Sequence, residues 1–351
     1  MPEARLDHAD LAHMVSQSDA DLRTLAGARL LLTGGTGYIG RWLLEALCHA
    51  NSEMGLGLHT TVLSRHPDRF VRDWPHLGAD ASVSMVQGDI RDFPFPEGPF
   101  SHVIHAATDV VADSTPLETF DVTVLGTRRV LEFCRERNVE RVLLLSSGAV
   151  YGRLLPSVQH VTEDHAGAPR TDALGAAYGL GKMATEWLGT AYADIAGLHC
   201  SSARVFAQVG PYLALDKQFA AGNFIGNALR DEPFIIKGDG TPRRSYMYGT
   251  DLVTWLLAIM VRGAPNRAYN VGSDAAISIA ELATAVATAA GVSRPDIRVQ
   301  GRSVVGALPE FYVPSIARAR DELGLQITVP FDEALRRTIA WYRHLQTGTQ
   351  V

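Results

Sequence analysis

Cysteine is scarce: Cys48, Cys134 and Cys200 are the only three in 351 residues. They are far apart and odd in number, which excludes a disulfide framework and a CxxC metal ribbon. No apolar run approaches the roughly 20 residues that a membrane-spanning helix needs. Neither sign of charge dominates, with 32 basic and 38 acidic residues and a net charge of −6. So balanced a chain lacks the electrostatic footprint of a nucleic-acid or anionic-membrane binder. The 12 histidines form no HxH or HExxH pattern, so no metal site is expected. The opening residues, MPEARLDHADLAHMVSQSD, carry acids where a signal peptide needs an apolar centre, and the expected compartment is the cytoplasm. What remains is ordinary globular composition, 46% hydrophobic and 20% charged, in a chain long enough to bury a real core.

Short apolar runs alternate with helical patterns along the first half. Arg29–Thr33, His59–Ser64, Val83–Gln87, Val103–His105 and Arg141–Ser146 read as strands. Helical spacing at 38–51, 116–137 and 176–196 separates them. This alternation predicts an α/β fold, a doubly wound parallel sheet with helices on both faces. The alternation breaks down after about 206. Short helices are expected at 250–262, 278–291, 315–323 and 331–346, with a strand-like Ala268–Val271 among them. The expected organisation is a helical extension over 1–26 packed outside the main fold, a dinucleotide-binding lobe over 27–206, and a smaller mixed lobe over 207–351 with some chain crossing back.

Gly34-Gly35-Thr36-Gly37-Tyr38-Ile39-Gly40 follows the first strand and opens a helix. It contains GxGxxG from Gly35 and GxxGxxG from Gly34. Such glycines allow a tight turn and let backbone N–H groups approach a pyrophosphate at a helix N-terminus. At the end of the second strand, where an acid usually holds the adenosine ribose, the chain reads Leu63-Ser64-Arg65. An arginine there can receive a 2′-phosphate, so NADP is favoured over NAD; the alternative is a solvated loop charge. Asp89 and Ile90, in Gly88-Asp89-Ile90-Arg91-Asp92 after the third strand, are placed to hold an adenine edge.

Tyr178 and Lys182 stand at i and i+4 in YGLGK and share one helix face. A nearby ammonium stabilises phenolate, which predicts a tyrosine pKa lowered towards working pH. The run LLLSSGAVYG ends a strand in Ser147, where open α/β sheets bind ligands. Its hydroxyl would bond the reacting oxygen beside Tyr178.

With these pieces in place the chain resembles the extended short-chain dehydrogenase/reductase family, which includes nucleotide-sugar epimerases, dehydratases and reductases. GGTGYIG, GDIRD, HAAT (His105–Thr108), SSGAVYG, YGLGK, RVFAQVGP (Arg204–Pro211), GDGTPRRSYMY (Gly238–Tyr248) and YNVGS (Tyr269–Ser273) occur in family order. The resemblance implies a Rossmann lobe for NAD(P) contacted by Gly34, Gly37, Tyr38, Ile39, Gly40, Ala106 and Ala107. It also implies a C-terminal lobe for a nucleoside diphosphate sugar, a Ser147/Tyr178/Lys182 triad, and a homodimer built through two helices per subunit. In that chemistry Tyr178 moves a proton on the C4 oxygen while C4 exchanges hydride with nicotinamide, and Lys182 also holds the ribose.

Departures from the family pattern narrow the reaction. Dehydratases of this kind carry an Asp-Glu pair after the catalytic Thr or Ser, and a decarboxylase wants a glutamate at the second position. Here Gly148 and Ala149 stand there. The phosphate asparagine of RxFNxxGP is Ala207, and Thr123 replaces a frequent structural asparagine. Asn223 matches a second diphosphate asparagine, its alternative being a helix cap before Phe224. Arg244 matches the pyrophosphate arginine, and Arg302 is a looser candidate for a second. Thr108 and Asp109 follow the fourth strand, where relatives contact sugar or nicotinamide; Asp109 could instead cap or face solvent. His105 reads as buried structure. The function expected is epimerase-type C4 redox through a 4-keto sugar. The alternative is a 4-keto-sugar reductase consuming NADPH, with a 4,6-dehydratase and a non-catalytic NADP sensor ranked below.

Overall fold

The computed structural model describes residues 4–108, 114–217, 219–302 and 308–347. Its centre is a seven-stranded parallel sheet. The strands are β1 (Arg29–Thr33), β2 (His59–Ser64), β3 (Val83–Gln87), β4 (His102–His105), β5 (Arg141–Ser147), β6 (Cys200–Val205) and β7 (Arg267–Val271). Their spatial order is β7-β6-β5-β4-β1-β2-β3, so the direction of winding reverses between β1 and β4. In an open parallel sheet that reversal leaves a crevice at the C-terminal strand ends.

The helices are α1 (His8–Thr24), α2 (Tyr38–Met54), α3 (Pro116–Glu136), α4 (Ala177–Ala196), α5 (Ala220–Leu229), α6 (Gly249–Arg262), α7 (Ile279–Ala289) and α8 (Phe331–Thr347), with shorter helical turns between some of them. Helices α3 and α4 pack together on one face of the sheet, and α2 and α6 on the other. Two expectations change here. The strand-like Ala268–Val271 belongs to the central sheet, where Arg267–Val271 pairs with Ser201–Val205. The second concerns the extension over 1–26, expected outside the main fold.

The N-terminal extension is one helix, and it joins the main core instead of lying outside it. The reason is the composition of α6. Leu252, Val253, Trp255, Leu256, Leu257, Ala258, Ile259 and Met260 are all buried, so the helix is apolar on every side and must be covered on its outer face too. Helix α1 supplies that cover through Met14 and Leu22. A buried polar clamp fixes it: Asp10 accepts from the Tyr248 hydroxyl at 2.5 Å and from Arg337 at 2.7 Å. Arg262 donates to Asp21 at 2.8 Å. Truncating Asp10 to alanine leaves two donors without their acceptor. The expected cost is about 2–4 kcal/mol, read as a lower midpoint in chemical denaturation with an unchanged m-value.

Candidate active site

Four segments meet at the crevice: the loops after β1, β4 and β5, and the first turns of α4. Gly34, with φ +72°, passes so close to the β4 loop that a Cβ on it would lie 2.6 Å from the Ala106 carbonyl carbon and 2.7 Å from the Ala107 nitrogen. Gly40 presses in the same way on the Gly34 carbonyl. Gly37 is the N-cap of α2 and brings no side chain to its first turn. The N–H groups of that turn therefore have no side-chain capping oxygen from Gly37 and suit an anion. Tyr38 and Ile39 form the turn; Ile39 packs on the core, and the Tyr38 hydroxyl is buried with no hydrogen-bond partner. This bare helix end beside a backbone-tight loop fits the diphosphate of a dinucleotide.

The flanking candidates fall around it. Arg65 is exposed just past the end of β2. Asp89 is turned into its own loop, accepting from the Arg91 guanidinium at 2.7 and 3.0 Å, and this bond holds its carboxyl below the usual range. Ile90 is buried against Gly126 of α3. Ala106 and Ala107 follow β4, and the Ala107 N–H donates to Thr33 Oγ1 at 3.2 Å. His105 bridges Thr33 at 2.8 Å and Thr127 at 3.1 Å, and burial pushes its pKa down to about 3. It is a neutral cross-tie between β1 and α3, as read from the sequence.

Ser147, Tyr178 and Lys182 come together. Ser147 ends β5, is buried, and accepts from the Ala149 N–H at 3.2 Å. Ser147 stands near enough to the Tyr178 phenol to act on it in the direction of a lower pKa. Lys182 is fully buried; its ammonium donates to the Leu145 carbonyl at 2.7 Å and lies 5.8 Å from the centre of the Tyr178 ring. Burial pulls the Lys182 pKa down to about 7, opposed by Glu186 one turn further along α4. Glu186 is itself held by Ser146 at 2.5 Å and by Arg204 at 2.7 Å.

One electrostatic expectation is reversed. In the protein alone Tyr178 is raised above the ordinary tyrosine value, because burial outweighs the lowering by Ser147. The Lys182 ammonium is turned to a backbone carbonyl and half-neutralised near pH 7, so it does not win. Occupation of the crevice by a cationic nicotinamide ring would act in the lowering direction.

The substrate candidates are spread along the neighbouring lobe. Thr108 bonds Thr123, the position where the resemblance leads one to expect asparagine, at 3.1 Å. Asp109 lies outside the described residues. Asn223 is half-buried within α5, whose N-cap is Phe219, which removes the capping alternative. Arg244 is half-buried, donates to the Arg243 carbonyl at 2.9 Å, and stands over the Tyr312 ring at 5.5 Å. Arg302 is exposed, next to Gly301, whose N–H is bound by the Gly238 carbonyl at 3.0 Å.

Tyr312 itself escaped the sequence reading. Its hydroxyl lies over Gly148, where an added Cβ would be 2.6 Å away, and its ring packs on Phe206 with centroids 4.7 Å apart. No spacing rule connects it to the triad, since it arrives from the far end of the chain. Among the described residues no group of three His, Cys, Asp or Glu side chains could hold a metal, and no helix is long and apolar enough to cross a membrane.

Comparison with known proteins agrees with the fold. UDP-glucuronic acid decarboxylase 6 of Arabidopsis thaliana is 27% identical over 308 residues, covering 88% of this chain and 86% of the relative. MoeE5, solved with UDP-glucose and NAD, is 27% identical with a TM-score of 0.73, covering 91% of this chain and all of that one. The dTDP-glucose 4,6-dehydratase DesIV of Streptomyces venezuelae, solved with NAD bound, shares the fold at a TM-score of 0.77, over 92% of this chain and 99% of its own, at 24% identity. The glycine loop, the reversed sheet and the Ser-Tyr-Lys cluster all fall within residues 30–272, the span matched by the model of the NAD dependent epimerase/dehydratase family, and to that family the chain belongs.

Proposed function

We propose that this protein oxidises and re-reduces C4 of a nucleoside diphosphate sugar, an epimerase-type reaction through a 4-keto species. The observation that carries this reading is the convergence of Ser147, Tyr178 and Lys182 beside Gly148 and Ala149, where no side chain can move a proton. A cluster so equipped can serve the C4 oxygen and has nothing next to Ser147 to expel water across C5–C6 or to assist loss of a carboxylate. Tyr178 takes the C4 hydroxyl proton and later returns it. Ser147 holds the same oxygen, and Lys182, charged in part near pH 7, steadies the phenolate and a ribose hydroxyl.

Bound NAD(P) supplies the acceptor and donor of hydride at C4. The N–H groups from Gly34 to Gly40 would hold its diphosphate, Asp89 and Ile90 its adenine side, and Ala106, Ala107 and Lys182 its nicotinamide half. Arg65, standing just past β2 in the place where an acid would otherwise hold the adenosine ribose, supports NADP. Asn223, Arg244 and Arg302 would bind the diphosphate of the sugar nucleotide, with Thr108, Asp109 and Ser147 at the sugar. Arg65 also keeps a second reading open, a 4-keto-sugar reductase that consumes NADPH.

The test has two parts. Freshly purified protein is denatured and the released dinucleotide identified; a stoichiometric amount supports an epimerase, and an empty site a reductase. Then UDP-, dTDP-, CDP- and GDP-hexoses and hexuronates are incubated with it and the products read by NMR. A C4 epimer supports the proposal. A pentose with carbon dioxide, or a 4-keto-6-deoxy sugar, would replace it with a decarboxylase or a dehydratase. If no nucleotide raises the melting temperature, the nucleotide-sugar reading fails.

The same reading includes a homodimer. Met183 and Trp187, one turn apart on α4, are 37% and 67% exposed, and Leu125 of the adjacent α3 is 47% exposed. Apolar side chains so displayed on two packed helices suit a four-helix interface with a second copy. Trp187→Glu is expected to convert a dimer into a monomer in light scattering, with little change in helix content.

A further inference from the structure

Lys182 and Glu186 stand four residues apart on α4, on one face of the helix and at the spacing of a helical ion pair. Helical side chains lean towards the N-terminus, which carries the Glu186 carboxylate back over the turn of Lys182. Both face the same stretch of β5. The Lys182 ammonium donates to the Leu145 carbonyl at 2.7 Å, and Glu186 accepts from the hydroxyl of the next residue, Ser146, at 2.5 Å. The carboxylate is nonetheless engaged by another cation. Arg204 of β6 donates to one of its oxygens through Nε at 2.9 Å and to the other through Nη2 at 2.7 Å.

Arg204 is braced to keep that grip. Its Nη1 donates to the Tyr151 hydroxyl and to the Glu163 carbonyl, each at 2.9 Å, and the guanidinium stands 4.9 Å from the centre of the Tyr151 ring. Tyr151 is fixed in turn by donating to Asn270 of β7 at 2.7 Å. The side chains of the Arg204–Glu186 pair are 15% and 17% exposed, so salt screens it weakly. Donor accounting shows what the arrangement does for Lys182. An ammonium has three donors. Leu145 takes one. A direct pair with Glu186 would take at least one more and draw the group along α4, away from Tyr178.

We propose that Arg204 is a positioning residue: together with Ser146 it holds the Glu186 carboxylate off Lys182, so that the ammonium keeps its remaining protons for Tyr178 and a dinucleotide ribose. The proposal rests on the reading in which Lys182 serves Tyr178, not on which sugar is bound. The other titratable groups around Lys182 and Arg204 are Tyr178 on α4, His105 at the end of β4, Tyr151, and Glu163, whose carboxylate accepts from the Asn270 N–H at 2.9 Å. All of them remain in the variants that follow.

The test is a titration of Lys182 by NMR in the full chain. There are three lysines, Lys182, Lys217 and Lys237, so protein labelled at lysine Cε gives few signals, and the one lost in Lys182→Met is Lys182. In Arg204→Met the carboxylate is released to Lys182, whose midpoint is expected to rise by about one pH unit, a tenfold gain in proton affinity. In Glu186→Gln it falls by a similar amount. In the double variant the rise disappears and the midpoint stays at the Glu186→Gln value, because Arg204 acts through Glu186. Where turnover is measurable, Glu186→Gln loses about fivefold in kcat near pH 7 and recovers as pH falls, while Arg204→Met loses kcat at every pH. An unchanged or lower Lys182 midpoint in Arg204→Met overturns the proposal, and so does a double variant in which the two single shifts simply add. If Arg204→Met does not fold, Ser146→Ala decides by the same sign. It frees one carboxylate oxygen with Arg204 in place, and the midpoint should rise by about threefold in proton affinity; no rise overturns the proposal. The titration needs no substrate, so an enzyme inactive on every sugar tested would defeat the functional reading and leave this one to be decided by the midpoints.

Discussion

Replacing Tyr178 with phenylalanine is expected to lower turnover by roughly 10³–10⁴-fold while dinucleotide binding persists. The half-buried ring keeps its place and only the phenol oxygen beside Ser147 is lost. Binding is measured by thermal shift with NADP and NAD, and turnover by product NMR. Lys182→Met should fall as far in turnover, with the opposite sign in stability. Lys182 is buried and its pKa is pulled down to about 7 in the fold. The unfolded chain therefore binds more protons than the folded one between pH 7 and the ordinary lysine value. Stability contributed by this group rises with pH across that window and is lowest below it. Removing the charge lifts that penalty, so the variant should melt roughly 2–4 °C higher at pH 6, the gain shrinking towards pH 10. A variant that loses activity and melts lower at pH 6 would mean that Lys182 is a structural support and not a strained catalytic group.

The second large effect belongs to the glycine loop. Gly34→Ala forces a side chain into a left-handed backbone position and against the Ala106–Ala107 peptide, neither of which can move without shifting β4. The expected cost is about 2–4 kcal/mol, with dinucleotide affinity down at least tenfold because the first turn of α2 tilts away from its anion. Gly55 is the control. It has a similar φ of +61° at the end of α2 but nothing within 4 Å of an added Cβ. Gly55→Ala should cost only about 1 kcal/mol and leave dinucleotide binding unchanged. Equal effects at the two positions would show that backbone strain alone matters and that the close approach to β4 does not.

The two variants also mark what was legible beforehand. β1, β2 and β3 announce themselves as short apolar or β-branched runs and fall where they were read. β6 does not, because Cys200-Ser201-Ser202-Ala203-Arg204-Val205 carries polar side chains into the interior. There Ser201 bonds the Ala264 carbonyl and Arg204 pairs with Glu186, partners that no local pattern displays. β7 was read as a strand among the helices after 206, with some chain expected to cross back, but its partner was not legible: strand pairing across 65 residues of intervening chain, as between Ser201 and Arg267, leaves no trace in hydropathy. In the site, helical spacing and a strand end are enough to identify Tyr178, Lys182 and Ser147. The direction of the Tyr178 shift is not legible, since it depends on how deeply the ring is buried. Nor is Tyr312, whose approach was hinted at only by an unexpected glycine at 148.

The dependence of α1 on α6 and α8 has a consequence for biosynthesis. Its Asp10 is completed by Tyr248 and Arg337, which lie 238 and 327 residues further along. At a ribosomal rate of about 5–20 residues per second, this helix emerges roughly 10–70 s before its partners. During that interval α2 can lie against it, while the cover it gives to α6 has no partner yet. A segment that leaves the exit tunnel so far ahead of its partners is thus among the last to be secured, and a natural point for a chaperone to hold.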